Sequence, residues 1–223
     1  MRDDAFRKAF DILWRRFRVE NWAEGKDPFE VLVSIVVSQN STDLVTERVV
    51  RDLSHQLAVR PKEVATAPES LLIDALRPAG LARQKVPRIQ ELAREVLRRF
   101  GGDLMRVLDE PDPRQTLMDL PGIGPKTADV WLSLVAGADT MPVDTHIARL
   151  ARRWRLTRRK DYAAITAKLQ SLIPPRRRAR GHLVLIQFGR EICQARRPRC
   201  EECPVYGLCD ATVKRPRATS ASR

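Results

Sequence analysis

The chain has 223 residues, 43% of them apolar and 31% charged, which suffices for a folded core without disulfide staples. No apolar run approaches the roughly 18–20 residues of a membrane span, and the opening MRDDAFRKAF does not read as a secretory signal. The expectation is a cytoplasmic protein in a reducing compartment. The net charge is +13, and it is unevenly placed. Residues 1–140 hold 21 Lys and Arg against 22 Asp and Glu, a net −1, whereas residues 141–223 hold 20 against 6, a net +14. A phosphate polyanion is the natural partner for such a surface. An anionic membrane is the rival, but no helix shows a clean basic and apolar split.

Taken in order, the segments read as helices at 3–18, 28–40, 43–56, 68–77, 85–100, 125–137, 143–155, 161–173 and 178–192. PFEVLVSIVVSQ (28–39) is apolar on most sides and belongs at the centre of a core. The clearest amphipathic pattern is Ile89, Leu92, Ala93, Val96, Leu97 and Phe100, ended by Gly101 and Gly102, with Pro87 placed in the first turn. Strand alternation with hairpin turns is missing, so the class is all-α. The tail after Asp210 is basic and poor in large apolar residues, so it reads as disordered.

Residues 120–129 read LPGIGPKTAD. Gly122 and Gly124 can take backbone angles closed to other residues and let a phosphate approach the amides of Gly122, Ile123 and Gly124. Pro125 suits the first helical position that follows. Lys126 then falls in the first turn, where the helix dipole and partial burial both favour a neutral amine. That is the form a Schiff-base lysine needs, although phosphate binding is the plainer role. In MPVDTHIARL (141–150), Asp144 precedes a helix and suits an N-cap, a role compatible with catalysis. His146 reads as structural.

All four cysteines, Cys193, Cys200, Cys203 and Cys209, fall in one window with spacing C-x6-C-x2-C-x5-C. In a reducing compartment such a group binds metal or does redox chemistry, and four thiolates can hold a zinc ion or an iron–sulfur cubane. Only Cys200 and Cys203 form a close pair, which favours iron–sulfur over zinc. Between the first two lies QARRPR, whose Arg196, Arg197 and Arg199 would meet a phosphate backbone from a loop pinned at both ends.

LPGIGPKTAD, VDTHIARL and the cysteine pattern, in this order and at these separations, resemble the endonuclease III family, the iron–sulfur branch of the helix-hairpin-helix DNA glycosylases. The resemblance runs from about Phe29 to Cys209 and includes HLVLIQFGREIC (182–193). It implies a two-lobed all-α helix-hairpin-helix fold with a C-terminal 4Fe–4S cluster loop. A six-helix lobe would span 22–135 and end in the hairpin. A cluster lobe would combine 1–21 with 136–212, leaving 213–223 as the basic tail. DNA would lie across the cleft with the target nucleotide flipped out.

The resemblance also implies roles. Lys126 would attack the sugar C1′ and then support β-elimination. Asp144 would stabilise the cationic sugar and help deprotonate Lys126. The four cysteines would hold the cluster. Where Asn40 aligns, the family commonly has a residue that fills the gap left by the flipped base, and Gln39 beside it leaves open which amide inserts. Leu81 aligns with an apolar wedge, with core packing as its alternative.

The expected activity is a base-excision-repair DNA glycosylase with AP-lyase activity, acting on oxidised or reduced pyrimidines or abasic sites in duplex DNA. The protein is expected to act as a nucleoid-associated monomer. Lys126 argues against the adenine glycosylases of this branch, which lack a lysine there, and the cluster argues against the oxidised-guanine branch. The alternatives are a mismatch- or uracil-type glycosylase on the same scaffold, a non-enzymatic DNA-binding module, and an iron–sulfur redox sensor.

Overall fold

The computed structural model describes residues 1–211, so the expected tail over 213–223 lies outside the described residues. Among the described residues there are eleven α-helices joined by turns and short 3-10 segments, and no strand. They divide into two compact units: Ala23–Ala136, and Met1–Trp22 together with the chain from Gly137 on.

The unit over Ala23–Ala136 is built on two helices. Helix α2 (Pro28–Ser38) starts where Asp27 Oδ1 accepts the amides of Phe29 at 2.9 Å and Glu30 at 3.3 Å, with Pro28 at its first position. Its Val and Ile residues are poor helix formers, but every residue from Val31 to Val37 is buried, so tertiary packing decides the conformation. Helices α3 (Asp43–Ser54), α4 (Pro61–Thr66) and α5 (Glu69–Leu76) precede α6 (Ala82–Phe100), which packs on α4, α5 and α2. Its buried stripe is Ala82, Val86, Ile89, Ala93, Val96 and Phe100. Gly101, with φ 63°, ends the helix, and the amides of Gly101 and Gly102 turn back to the carbonyls of Leu97 and Val96.

Two details correct the sequence reading. Helix α6 begins at Ala82, not 85, so Pro87 stands inside the helix rather than in its first turn. Its missing N–H costs one ladder bond, to the exposed Arg83. Helices α4 and α7 (Pro113–Met118) also form where the sequence shows no full apolar period. Each starts on a proline, and α7 is capped by Asp112, whose Oδ1 accepts the Gln115 amide at 2.9 Å.

Helix α7, the turn that follows it and α8 (Pro125–Leu134) form the helix-hairpin-helix. The Asp129 carboxylate on α8 is buried, and Arg114 on α7 holds it through Nε at 2.7 Å and Nη2 at 3.3 Å. A buried carboxylate needs such a partner, so the pair fixes how the two helices cross. Trp131 Nε1 donates to the Pro28 carbonyl at 2.8 Å and ties α8 to the start of α2.

The other unit packs α1 (Asp3–Arg16), α9 (Thr145–Arg153), α10 (Tyr162–Leu172) and α11 (Arg178–Glu191) around an aromatic core. The Trp154 ring lies between Phe6, edge-on with centroids 5.9 Å apart, and Phe188, stacked at 5.8 Å. Gly181 permits α1 to approach α11, since a Cβ there would stand 2.8 Å from Phe10 Cζ.

Candidate active site

The hairpin turn is built by backbone chemistry. Gly122 has φ +77°, a left-handed conformation that an L side chain rarely adopts. Ile123 buries its side chain, and its amide donates to the Leu120 carbonyl at 3.2 Å. The Ile123 N–H is therefore engaged within the turn. Gly124 departs from expectation: its φ is −99°, open to any residue, and a Cβ there would meet nothing within 4 Å. Neither conformation nor packing inside the protein requires glycine at 124. Lys126 is the second residue of α8 and is half-buried.

In the other unit, Asp144 is the N-cap of α9, with Oδ1 accepting the Ile147 amide at 2.8 Å. The preceding Met141, Pro142 and Val143 are buried. His182, buried on α11, places Nδ1 3.0 Å from the Pro142 carbonyl and so fixes the approach to Asp144. His146 lies beside Arg149, whose Nη2 is 3.1 Å from its Nδ1, a structural contact.

Two loop tips in the hairpin-bearing unit share a feature. Asn40 has φ 58° and is exposed, whereas the adjacent Gln39 is half-buried at the end of α2. Leu81 has φ 55° and is 49% exposed. The alternative of core packing for Leu81 is thereby overturned. A left-handed leucine is strained, and such strain concentrates at working sites.

The four cysteines are not joined in disulfides and line one cavity with Trp154, Phe188, Ile192, Val205 and Tyr206. Its open and enclosed space together amount to about 410 Å³. Each of the other three thiols lies within electrostatic range of Cys203. Burial pushes the Cys203 thiol up to about 11. Burial also raises Cys193, against the pull of the Arg153 guanidinium. Thiolates in so apolar a cavity require a cationic core to compensate them, and a four-thiol donor set suits an iron–sulfur group.

Two arginines on α9 hold the entrance to this loop. Arg153 Nη1 donates to Cys193 Sγ at 3.1 Å, to the Cys193 carbonyl at 2.9 Å and to the Gln194 carbonyl at 2.7 Å. Arg149 donates to the carbonyls of Cys193 at 3.1 Å and Gly189 at 2.7 Å. Both guanidinium groups satisfy carbonyls at or just past the end of α11, where the helix dipole favours a cation. Sequence reasoning did not single them out, because they read as two among many arginines. On the loop itself, Arg196 and Arg197 are exposed, while Arg199 is engaged by Glu202 at 2.7 and 3.0 Å.

Comparison with known proteins matches this arrangement. The model of the HhH-GPD superfamily base excision DNA repair proteins matches residues 33–175, and that of the iron-sulfur binding domain of endonuclease III matches residues 193–209. Endonuclease III of Bacillus subtilis is 36% identical over 190 residues, 85% of this chain and 84% of that one. Endonuclease III of Escherichia coli K12 is 31% identical over 187 residues, 84% and 85% of the two chains. A trapped covalent endonuclease III–DNA intermediate superposes with TM-score 0.83 at 30% identity, covering 94% of this chain and 96% of that one. A thermostable thymine-DNA glycosylase, at TM-score 0.79 and 23% identity, shares the fold.

The fold and these matches define a helix-hairpin-helix base excision repair protein. The chain belongs to the endonuclease III family, DNA glycosylases with AP-lyase activity and a 4Fe–4S cluster. No helix among the described residues is long and apolar enough to cross a membrane.

Proposed function

We propose that the chain binds duplex DNA, extrudes an oxidised or reduced pyrimidine nucleotide and excises its base with Lys126 as nucleophile. The observation that carries this is the placement of Lys126. It stands half-buried in the first turn of α8, directly after a turn whose Gly124 leaves open space beside the backbone. A DNA phosphate would occupy that space, with the amides of Gly122 and Gly124 as donors.

The Lys126 amine attacks C1′, and the base leaves with the electron pair of the glycosidic bond, taking up a proton. The nitrogen lone pair then expels O4′, which takes up a proton as the sugar ring opens, and the Schiff base so formed at C1′ acidifies the C2′ hydrogen. Loss of that proton expels the 3′ phosphate, which nicks the strand. Asp144 stabilises the positive charge that develops on the sugar. Asn40 fills the gap left by the extruded base, with Gln39 anchoring the tip, and Leu81 wedges the stack.

Cys193, Cys200, Cys203 and Cys209 hold the cluster, which crosslinks the loop when bound. Arg196 and Arg197 then meet phosphates from a pinned backbone. Arg199, paired with Glu202, chiefly braces the loop.

The test is base release from duplexes carrying one thymine glycol, dihydrouracil, a uracil opposite guanine, or a thymine opposite guanine. Release from the first two at rates well above the last two is expected. Release confined to uracil or the mismatch would overturn the substrate assignment.

A further inference from the structure

Lys85 is the buried cation that the excision chemistry does not use. It is 6% exposed, and its Nζ donates to two backbone carbonyls: Val37 at 2.8 Å and Ala79 at 3.1 Å. These carbonyls belong to different segments. Val37 lies in the last turn of α2, three residues before Asn40. Ala79 closes the 3-10 turn two residues before Leu81.

The local hydrogen bonding explains why a long donor is needed. At the end of α2, the carbonyls of Ile35, Val36 and Ser38 accept from Ser38 Oγ, the Gln39 amide and the Ser41 amide. The Val37 carbonyl accepts from Lys85. The Lys85 backbone amide also donates to the Leu81 carbonyl at 2.9 Å. One residue therefore contacts the Leu81 turn twice and the base of the Asn40 tip once. Both tips hold left-handed residues, with φ 58° and 55°; asparagine enters that region readily, whereas leucine seldom does, so the Leu81 turn in particular needs holding. Burial pushes the Lys85 amine below the usual lysine range. An ammonium brings three donors and a neutral amine two, so either form serves both carbonyls.

We infer that Lys85 is a positioning residue for nucleotide extrusion: it brackets the Val37 and Ala79 carbonyls and thereby sets the spacing between the Asn40 and Leu81 tips. This rests on the reading that these tips enter the duplex. Extruding a stacked, paired base needs both tips in register. A pre-existing abasic site has no base to unstack, so its cleavage depends far less on them.

The test compares base release from a thymine glycol duplex with nicking of a preformed abasic duplex, in full-length protein carrying its cluster. Lys85→Met keeps the volume and removes the donors. It is expected to slow base release by about 10- to 100-fold. Abasic nicking should stay within about threefold of wild type, since extrusion is easiest where no base is stacked. Lys85→Arg, which keeps a donor for each carbonyl, should stay close to wild type in both assays. Either variant that retains its melting temperature decides the point. Leu81→Ala and Asn40→Ala run beside them. If these two slow base release and Lys85→Met does not, or if Lys85→Met slows both reactions equally, the bracket is refuted. If neither tip variant affects base release, the insertion reading itself fails, and the inference fails with it.

Discussion

Lys126→Ala is expected to abolish strand nicking and base release while leaving affinity for lesion-bearing DNA within a few-fold of wild type. In the proposed mechanism, removing this amine removes the covalent path. Its loss in an enzyme whose groups act as a unit costs on the order of 10⁴-fold or more. That corresponds to about 5.5 kcal/mol of transition-state stabilisation. The fold has little stake in this side chain, because α8 is anchored elsewhere. Asp129 binds Arg114, Trp131 binds the Pro28 carbonyl, and the helix opens on Pro125. Single-turnover rates and melting temperature measured together check this. Nicking that survives in a folded variant would remove Lys126 from the chemistry.

Asp144→Asn is expected to separate the observed capping duty of this carboxylate from the catalytic duty proposed for it. As N-cap of α9 it accepts the Ile147 amide at 2.8 Å, and asparagine caps a helix about as well as aspartate. The stability change should therefore stay within about 0.5 kcal/mol. The negative charge that the proposed mechanism sets against the cationic sugar is lost, however, and preorganised electrostatic groups of this kind are worth roughly 10²–10³ in turnover. Asp144→Ala should show the same kinetic loss and a further stability loss of about 1 kcal/mol from the missing cap. Urea midpoints and single-turnover rates on both variants settle the division. Normal turnover in Asp144→Asn would leave the residue a cap alone.

The sequence was most legible where a single rule dominates. The all-round apolar run of α2 does become the buried centre of its unit, and the amphipathic repeat ending at Gly101 does become α6. The cysteine spacing announces a metal site and favours iron–sulfur over zinc, and the family resemblance supplies the rest. The family match over residues 193–209 begins and ends on the outer two.

What escaped the sequence depends on where elements begin. AGLARQK reads as a polar lead-in if the helix starts at Lys85. With the start at Ala82, Lys85 falls on the stripe of Ala82, Val86 and Ile89, and is carried into the interior. The same shift leaves Leu81 as a left-handed residue just outside the helix, exposed rather than packed. The short helices α4 and α7 span six residues each, too few for an apolar period to emerge. Arg149, Arg153 and His182 were invisible for another reason. Their partners are backbone carbonyls about 40 residues away in the chain. Composition carries no trace of such pairings.

The most direct test of the account is borohydride trapping followed by peptide mapping. The purified protein is reacted with a thymine glycol duplex and an abasic duplex in the presence of borohydride, and the crosslinked residue is located by mass spectrometry. The account predicts a reduced adduct on both duplexes, at Lys126. An adduct at another residue, or none on either duplex, would contradict it.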